Sequence, residues 1–277
     1  MISVLILTHN EEHDLPGCLD SVAWSDDIHI FDSESTDRTA EIAAARGAIV
    51  TTRAFTTYAD QRNAARTTLA FKHPWLFILD ADERALPELV AEMRRAVATA
   101  PATTSGFRIR RRDFLWGKWL KHAQLTPFYI RLVRVGHVRY TREINERPVI
   151  DGDVIALHQP FDHFPFSKGI AHWFHKHNTY STLEAQLLAA GLATQNASLR
   201  SALFGRSFDE KRAAQKAIFY KMPLRPAVKW VYMMFIRGAV LDGRAGITYA
   251  TLQAVYEYMI VVKTREIKGK SSRCMCD

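Results

Sequence analysis

The chain has 277 residues, 48% apolar and 24% charged, enough to bury a large core and too apolar for a disordered protein. Its formal net charge of +8 points to an anionic partner: a nucleotide, a nucleic acid or a membrane surface. Three cysteines, Cys18, Cys274 and Cys276, give no disulfide framework and fit a reducing cytoplasm.

Residues 3–7 are a continuous apolar run without a basic start, so they predict a first strand and not a leader peptide. The run ends in Thr8-His9-Asn10-Glu11-Glu12, after which Leu15, Cys18, Leu19 and Val22 recur at helical spacing. A second strand at 28–31 ends in Asp32-Ser33-Glu34-Ser35-Thr36-Asp37. Ser35 is placed to cap an alanine-rich helix over 36–46, with Asp37 in its first turn and Gly47 closing it. Residues 48–51 predict a third strand, and 58–71 a helix carrying Gln61-Arg62-Asn63. Trp75-Leu76-Phe77-Ile78-Leu79 follows Pro74; this apolar run is too short for a helix and reads as a buried parallel strand.

That strand runs into Asp80-Ala81-Asp82-Glu83. In an open α/β sheet, ligands bind beyond the carboxyl ends of the strands, so Asp80 and Asp82 arrive where a ligand would sit. Such carboxylates suit Mg²⁺ or Mn²⁺, whose shell is completed by water and substrate phosphates. The alternative makes Asp80 a helix cap and Asp82 a solvated turn residue. Repeated strand–helix alternation with short connections predicts an α/β fold, a doubly wound, mostly parallel sheet flanked by helices. Neither a Gly-x-Gly-x-x-Gly turn nor a Walker loop follows the first strand, so acidic and amide side chains must hold any nucleotide.

In order, Thr8-x-Asn10-Glu11, Asp32-Ser33-x-Ser35-x-Asp37-x-Thr39, Arg62-Asn63 and Asp80-Ala81-Asp82 resemble the signature of family 2 glycosyltransferases with the GT-A fold. The resemblance implies a catalytic domain at 1–165 that takes a UDP-sugar. Thr8, Asn10, Glu11, Ser35, Arg62 and Asn63 would then belong to the nucleotide site, with Asp32 hydrogen-bonded to the uracil ring. Asp80 would face the ribose and the metal-bound phosphates, and Asp82 would ligate Mg²⁺ or Mn²⁺.

After a helix over 86–99, residues 105–110 alternate as a half-buried strand and open a basic region. It runs from Arg108 to Arg147, with Phe114, Trp116 and Trp119 interleaved. Two readings stand: contact with an anionic lipid or sugar-phosphate acceptor, or a solvated face. A strand at 129–133 precedes Arg142-Glu143-Ile144-Asn145-Glu146-Arg147. Sugar transfer needs a base for the acceptor hydroxyl, and a carboxylate is the usual choice. Asn145-Glu146 resembles the pair the family carries here, which makes Glu146 the expected base and Glu143 the fallback. A last strand is predicted at 154–157. Beyond it the resemblance assigns His163, which precedes Ser167, Lys176 and Tyr180, to the metal or the diphosphate.

The remainder, 166–277, is predicted to be a helical extension, with one helix over 200–220 and another over 247–268. Residues 228–241 between them are apolar nearly all round, but Lys229 and Arg237 interrupt them and nothing is expected to span a bilayer. An apolar helix with basic flanks predicts a membrane interface; the alternative is packing on the catalytic domain or on a second subunit of a homo-oligomer. Leu241-Asp242-Gly243-x-x-Gly246 resembles the bacterial lipopolysaccharide-core β-1,4-glucosyltransferases. The expectation is therefore an inverting, metal-assisted enzyme, peripheral on the inner face of the cytoplasmic membrane. It would move one sugar to an amphipathic glycolipid, lipopolysaccharide-core or polyprenyl-linked acceptor. A nucleic-acid binder would explain the charge but not carboxylates at three strand ends, so no nucleic acid is expected. A non-catalytic nucleotide-sugar-binding protein shares the same motifs.

Overall fold

The computed structural model describes residues 1–124, 127–141, 147–192, 198, 200 and 208–273. The chain divides into two units, one of Met1–Phe114 and Thr126–Ser167, the other of Leu115–Leu125 and Lys168–Asp277. In order, the elements up to His163 are β1 (Ile2–Thr8), α1 (Leu15–Val22), β2 (Ile28–Asp32), α2 (Thr39–Ala45), β3 (Ile49–Thr52) and α3 (Tyr58–Thr68). β4 (Trp75–Asp80), β5 (Glu83–Arg84), α4 (Pro87–Thr99), β6 (Thr104–Leu115) and β7 (Lys118–Trp119) come next. Then follow β8 (Phe128–Arg134), β9 (Val138–Thr141), β10 (Arg147–Ile150), β11 (Asp153–Ala156) and β12 (Phe161–His163).

The first unit is built on a sheet of order β3-β2-β1-β4-β8-β6-β12-β5, with β11 also on β6. β1 is parallel to β2 and β4, β2 to β3, and β6 to β11 and β12. β8 runs antiparallel between β4 and β6. Both sheet faces are covered, which is why the strands read as unbroken apolar runs. Val4, Ile6, Phe77 and Leu79 pack with Leu15, Leu19 and Leu89 on one face. Leu5, Phe31, Leu76 and Ile78 pack with Ala65, Val133 and Tyr140 on the other. Full burial of each such side chain is worth about 1.5–3 kcal/mol. The register then sets the site: Thr8 lies opposite Asp32, and Leu7 opposite Asp80. The carboxyl ends of β1, β2 and β4 are therefore level.

Three local expectations change. α2 begins at Thr39 and Ser35 does not cap it, because the Ser35 hydroxyl is spent on Asp32 and it is Asp37 Oδ1 that accepts the Thr39 N–H at 3.0 Å. The strand at 154–157 is not the last, since β12 adds to β6 and carries His163. β6 itself runs on to Leu115, which brings Asp113 beside His163.

The second unit carries α5 (Gly169–Ala189), α6 (Phe208–Lys221), α7 (Arg225–Val231) and α8 (Gly243–Arg273). The apolar helix expected over 228–241 is broken. α7 passes into a π turn at Tyr232–Ile236, Gly238 takes a left-handed φ of 75°, and a 3₁₀ turn follows at Ala239–Asp242. A Cβ on Gly246 would lie 2.1 Å from the Ala239 carbonyl oxygen, so only glycine lets α8 start against that turn. Asp242 is buried and accepts the backbone N–H groups of His122 and Ala123, both at 2.8 Å. Among the described residues no helix is long and apolar enough to cross a membrane.

Candidate functional site

The loops after β1 and β2 are zipped together by their own polar side chains. Thr8 Oγ1 donates to Asp32 Oδ1 at 2.7 Å. The Ser35 hydroxyl donates to the same oxygen at 2.6 Å, and the Ser35 N–H donates to Oδ2 at 2.8 Å. Asn10 is left-handed at φ 54°, a conformation asparagine tolerates better than most residues. That turn aims its N–H at Ser35 Oγ, 2.8 Å away, while its amide oxygen accepts the Thr36 N–H at 2.8 Å. The Glu11 N–H donates to Thr39 Oγ1 at 2.7 Å. Thr8, Asn10, Glu11, Asp32 and Ser35 thus form one cradle.

Asp80 ends β4 between two arginines. Arg62 Nη2 donates to Oδ1 at 2.8 Å and Arg131 Nη2 to Oδ2 at 2.9 Å. Arg131 also pairs with Glu83, which is fully buried and accepts the Asp80 N–H at 3.0 Å. Two carboxylates sharing one guanidinium titrate apart. Desolvation opposes ionisation of Asp80, but Arg131 and Arg62 hold it well below the usual carboxylate range. Burial, helped by the Asp80 charge, pushes Glu83 up to about 7 against the pull of Arg131. Asn63 serves the fold: its amide donates to the Tyr140 carbonyl and accepts the Tyr140 N–H, both at 2.8 Å. It fixes α3 to β9, while the neighbouring Arg62 guanidinium lies over the Tyr140 ring.

Asp82 and His163 come together. His163 Nε2 lies 3.3 Å from Asp82 Oδ2, and its Nδ1 lies 2.5 Å from Asp113 Oδ1. Antiparallel pairing of β12 with β5 brings this about, with His163 opposite Glu83, and the Phe164 N–H donates to the Asp82 carbonyl at 2.9 Å. A carboxylate that orients an imidazole from its far side is the usual support for a metal-ligating histidine. Among the described residues no group of three or more His, Cys, Asp or Glu could hold a metal alone. By their donor chemistry, one carboxylate and one imidazole 3.3 Å apart, Asp82 and His163 fit an ion that takes few protein ligands and completes its shell from water and phosphate, as Mg²⁺ and Mn²⁺ do.

Desolvation lowers the His163 value, but Asp82 and Asp113 outweigh it and hold the imidazolium up to about 9. The folded form thus binds this proton more tightly than the unfolded chain, whose value is near 6.5. The stabilisation is complete below pH 6.5 and lost as pH rises through 9; the difference corresponds to about 3 kcal/mol. Urea midpoints measured in EDTA will fall across that window in the wild type and lose most of that slope in His163→Gln.

The expected nucleotide and metal residues are all described: Thr8, Asn10, Glu11, Asp32 and Ser35 lie in the cradle, Arg62 pairs with Asp80, Asp82 meets His163, and the Asn63 amide is committed to Tyr140. Glu146, Glu143 and Asn145 lie outside the described residues. Arg131, Glu83 and Asp113 were not among the expected site residues. Their signal was faint: a charge inside the buried run of β8, and acids within strands.

Carboxylates gather at the carboxyl edge of a mostly parallel sheet, with a carboxylate–imidazole pair beside them, where open α/β sheets bind their ligands. The model of the family described as Glycosyl transferase family 2 matches residues 3–162, more than half the chain, and the chain belongs to that family. It is similar to the lipopolysaccharide core biosynthesis glycosyltransferase LpsC of Rhizobium meliloti, 26% identical over 95% of this chain and 91% of that protein. Among solved structures, S. aureus TarS (residues 1–349) matches with TM-score 0.43 and 13% identity, over 98% of this chain and 91% of that one. Glucosyl-3-phosphoglycerate synthase of Mycobacterium tuberculosis, crystallised with Mn²⁺ and UDP-glucose, matches with TM-score 0.35 and 21% identity over 40% and 44%.

Proposed function

We propose that this glycosyltransferase is metal-dependent and inverting, and moves one sugar from a UDP-sugar to a lipid-linked or lipopolysaccharide-core acceptor. The observation that carries the reading is the meeting of Asp82 with His163 at 3.3 Å at the edge where β1, β2 and β4 end. The cradle of Thr8, Asn10, Glu11, Asp32 and Ser35 takes the nucleoside. A carboxylate has about four acceptor directions; Asp32 commits three to the cradle, which leaves one for the uracil N–H. Arg62 and Arg131 hold Asp80 ionised for the ribose and phosphates, and Asn63 acts through Tyr140 to place Arg62. Asp82 and His163 would hold Mg²⁺ or Mn²⁺, which supplies positive charge for the departing diphosphate.

In the transfer, Glu146 takes the proton of the acceptor hydroxyl, with Glu143 as the fallback base. The hydroxyl oxygen bonds to the anomeric carbon as the bond to the UDP oxygen breaks. One displacement inverts the centre, so an α-linked UDP-sugar gives a β-glycoside. Residues 1–165 serve as the catalytic domain and 166–277 as a helical extension that bears on the acceptor's environment. Full-length similarity to a lipopolysaccharide core glycosyltransferase supports an amphipathic acceptor and a peripheral place on the inner face of the cytoplasmic membrane.

The test is calorimetric titration of UDP into the protein with Mn²⁺ and with EDTA. Micromolar binding that depends on the metal is the expected result, followed by turnover on a UDP-sugar panel. Absence of binding under both conditions would remove the donor assignment.

A further inference from the structure

We infer that the second unit docks on an anionic lipid bilayer through an apolar corner at residues 231–241. This docking deepens the membrane-facing part of the function proposed above and rests on that part alone. An uninterrupted helix would spread these side chains around its circumference. The π turn, the left-handed Gly238 and the 3₁₀ turn instead leave Phe235, Ile236 and Leu241 exposed by 64%, 75% and 69%. Met233, Met234 and Ala239 are buried and anchor the corner, while Phe235 keeps an edge-on ring contact with Trp230. The 115–124 segment of the same unit adds Trp116, 64% exposed and strained at φ 51° ahead of Gly117 at φ 73°; such strain collects at functional positions. His122 ties this segment to the corner. Its Nδ1 lies 2.7 Å from Asp242 Oδ1, and its Cβ lies 3.8 Å from where a Cβ on Gly238 would stand.

Charge selects the occupant. In 115–124 and 221–247 the sole acid is Asp242, and it is buried. Lys118, Lys121, Lys221 and Arg244 are exposed in the same stretches. A second copy related by two-fold symmetry would set these cations against their own kind. A nucleic acid would leave the aliphatic corner in water. An anionic bilayer accepts both, the apolar side chains below the headgroups and the cations among them.

Flotation of the full chain with vesicles of equimolar phosphatidylglycerol and phosphatidylcholine, and of phosphatidylcholine alone, tests this. Binding to the anionic vesicles is expected. The Phe235→Ser/Ile236→Ser/Leu241→Ser variant will weaken it by at least about 100-fold, from the apolar area no longer buried. The Lys118→Glu/Lys121→Glu/Arg244→Glu variant will weaken it by at least about 100-fold on anionic vesicles. Bromine-labelled acyl chains will quench wild-type fluorescence, and Trp116→Phe will lose part of that quenching. A wild type that does not float, or variants that float as it does, would overturn the inference. So would a dimer that the serine variant dissolves without any vesicle binding, which would give the face to a second copy. UDP titration is a separate readout: failure there removes the donor assignment and leaves the vesicle result standing.

Discussion

Asp82→Ala will lower turnover by about 1000-fold while leaving the protein folded. A divalent cation at a departing diphosphate supplies several kcal/mol of charge stabilisation, and about 4 kcal/mol is a factor of about 1000 in rate. The fold loses only the Asp82 share of the His163 ion pairing. Asp82 is 28% exposed, and the bond that holds its loop, from the Phe164 N–H, goes to its backbone carbonyl. His163 keeps Asp113 at 2.5 Å in the variant, so the imidazole stays oriented. Metal-dependent UDP binding should therefore be lost together with turnover, and the melting temperature should fall by only a few degrees, the part of the His163 stabilisation that Asp82 supplies. Asp82→Asn should fall close to Ala, because the neutral amide keeps the shape without the charge. Turnover within tenfold of wild type in both variants would take the ion away from Asp82.

The part of this site that could be read from the sequence is the part set by strand ends. Apolar runs of strand length locate β1, β2 and β4, and a parallel register then places Thr8, Asp32 and Asp80 side by side with no further information. What could not be read depends on pairings distant in the chain. Asp113 meets His163 across 50 residues, and only because β12 adds in parallel to β6 beyond the point where its alternating pattern stops. Arg131 meets Glu83 across 48 residues, and its strand enters antiparallel between two others. Nothing in a local run of side chains announces that order. Ser35 misleads for a different reason: serine before an alanine-rich stretch is a strong cap signal. Here Asp32 and Asn10 compete for the hydroxyl and win, so the helix starts at Thr39. Gly238 was hidden inside an apolar run whose composition alone suggested one helix.

Arg131→Leu will destabilise the first unit by about 3–5 kcal/mol, the usual result of removing one member of a buried ionic group. Its guanidinium is 8% exposed and bridges Asp80 and Glu83. Arg62 continues to pair with Asp80 in the variant, but Glu83 is left buried without its guanidinium, its charge opposed by the His163 imidazolium and the Asp80 N–H it accepts. Its remaining course is to take up a proton, and this makes the loss depend on pH. In the wild type the Glu83 value of about 7 lies above its ordinary 4.5, so the folded form already binds that proton more tightly. The resulting stabilisation is complete below pH 4.5 and is lost as pH rises through 7. Without Arg131 the folded value climbs further, and the variant should be weaker relative to wild type at pH 8 than at pH 5.5. Urea midpoints at the two pH values measure this directly. Arg131→Lys should recover only part of the loss, since one ammonium cannot span two carboxylates as a planar fork does. Arg131→Leu/Glu83→Gln should recover more at pH 8 than Glu83→Gln alone would suggest, because the two effects are coupled. Equal losses at both pH values, with additive double-variant energies, would mean that Arg131 acts by packing and that Asp80 is held ionised without it. In the coupled case Arg131 links stability to the proposed function: the charge that keeps the sheet edge folded also keeps Asp80 ionised for the nucleotide assigned to it above.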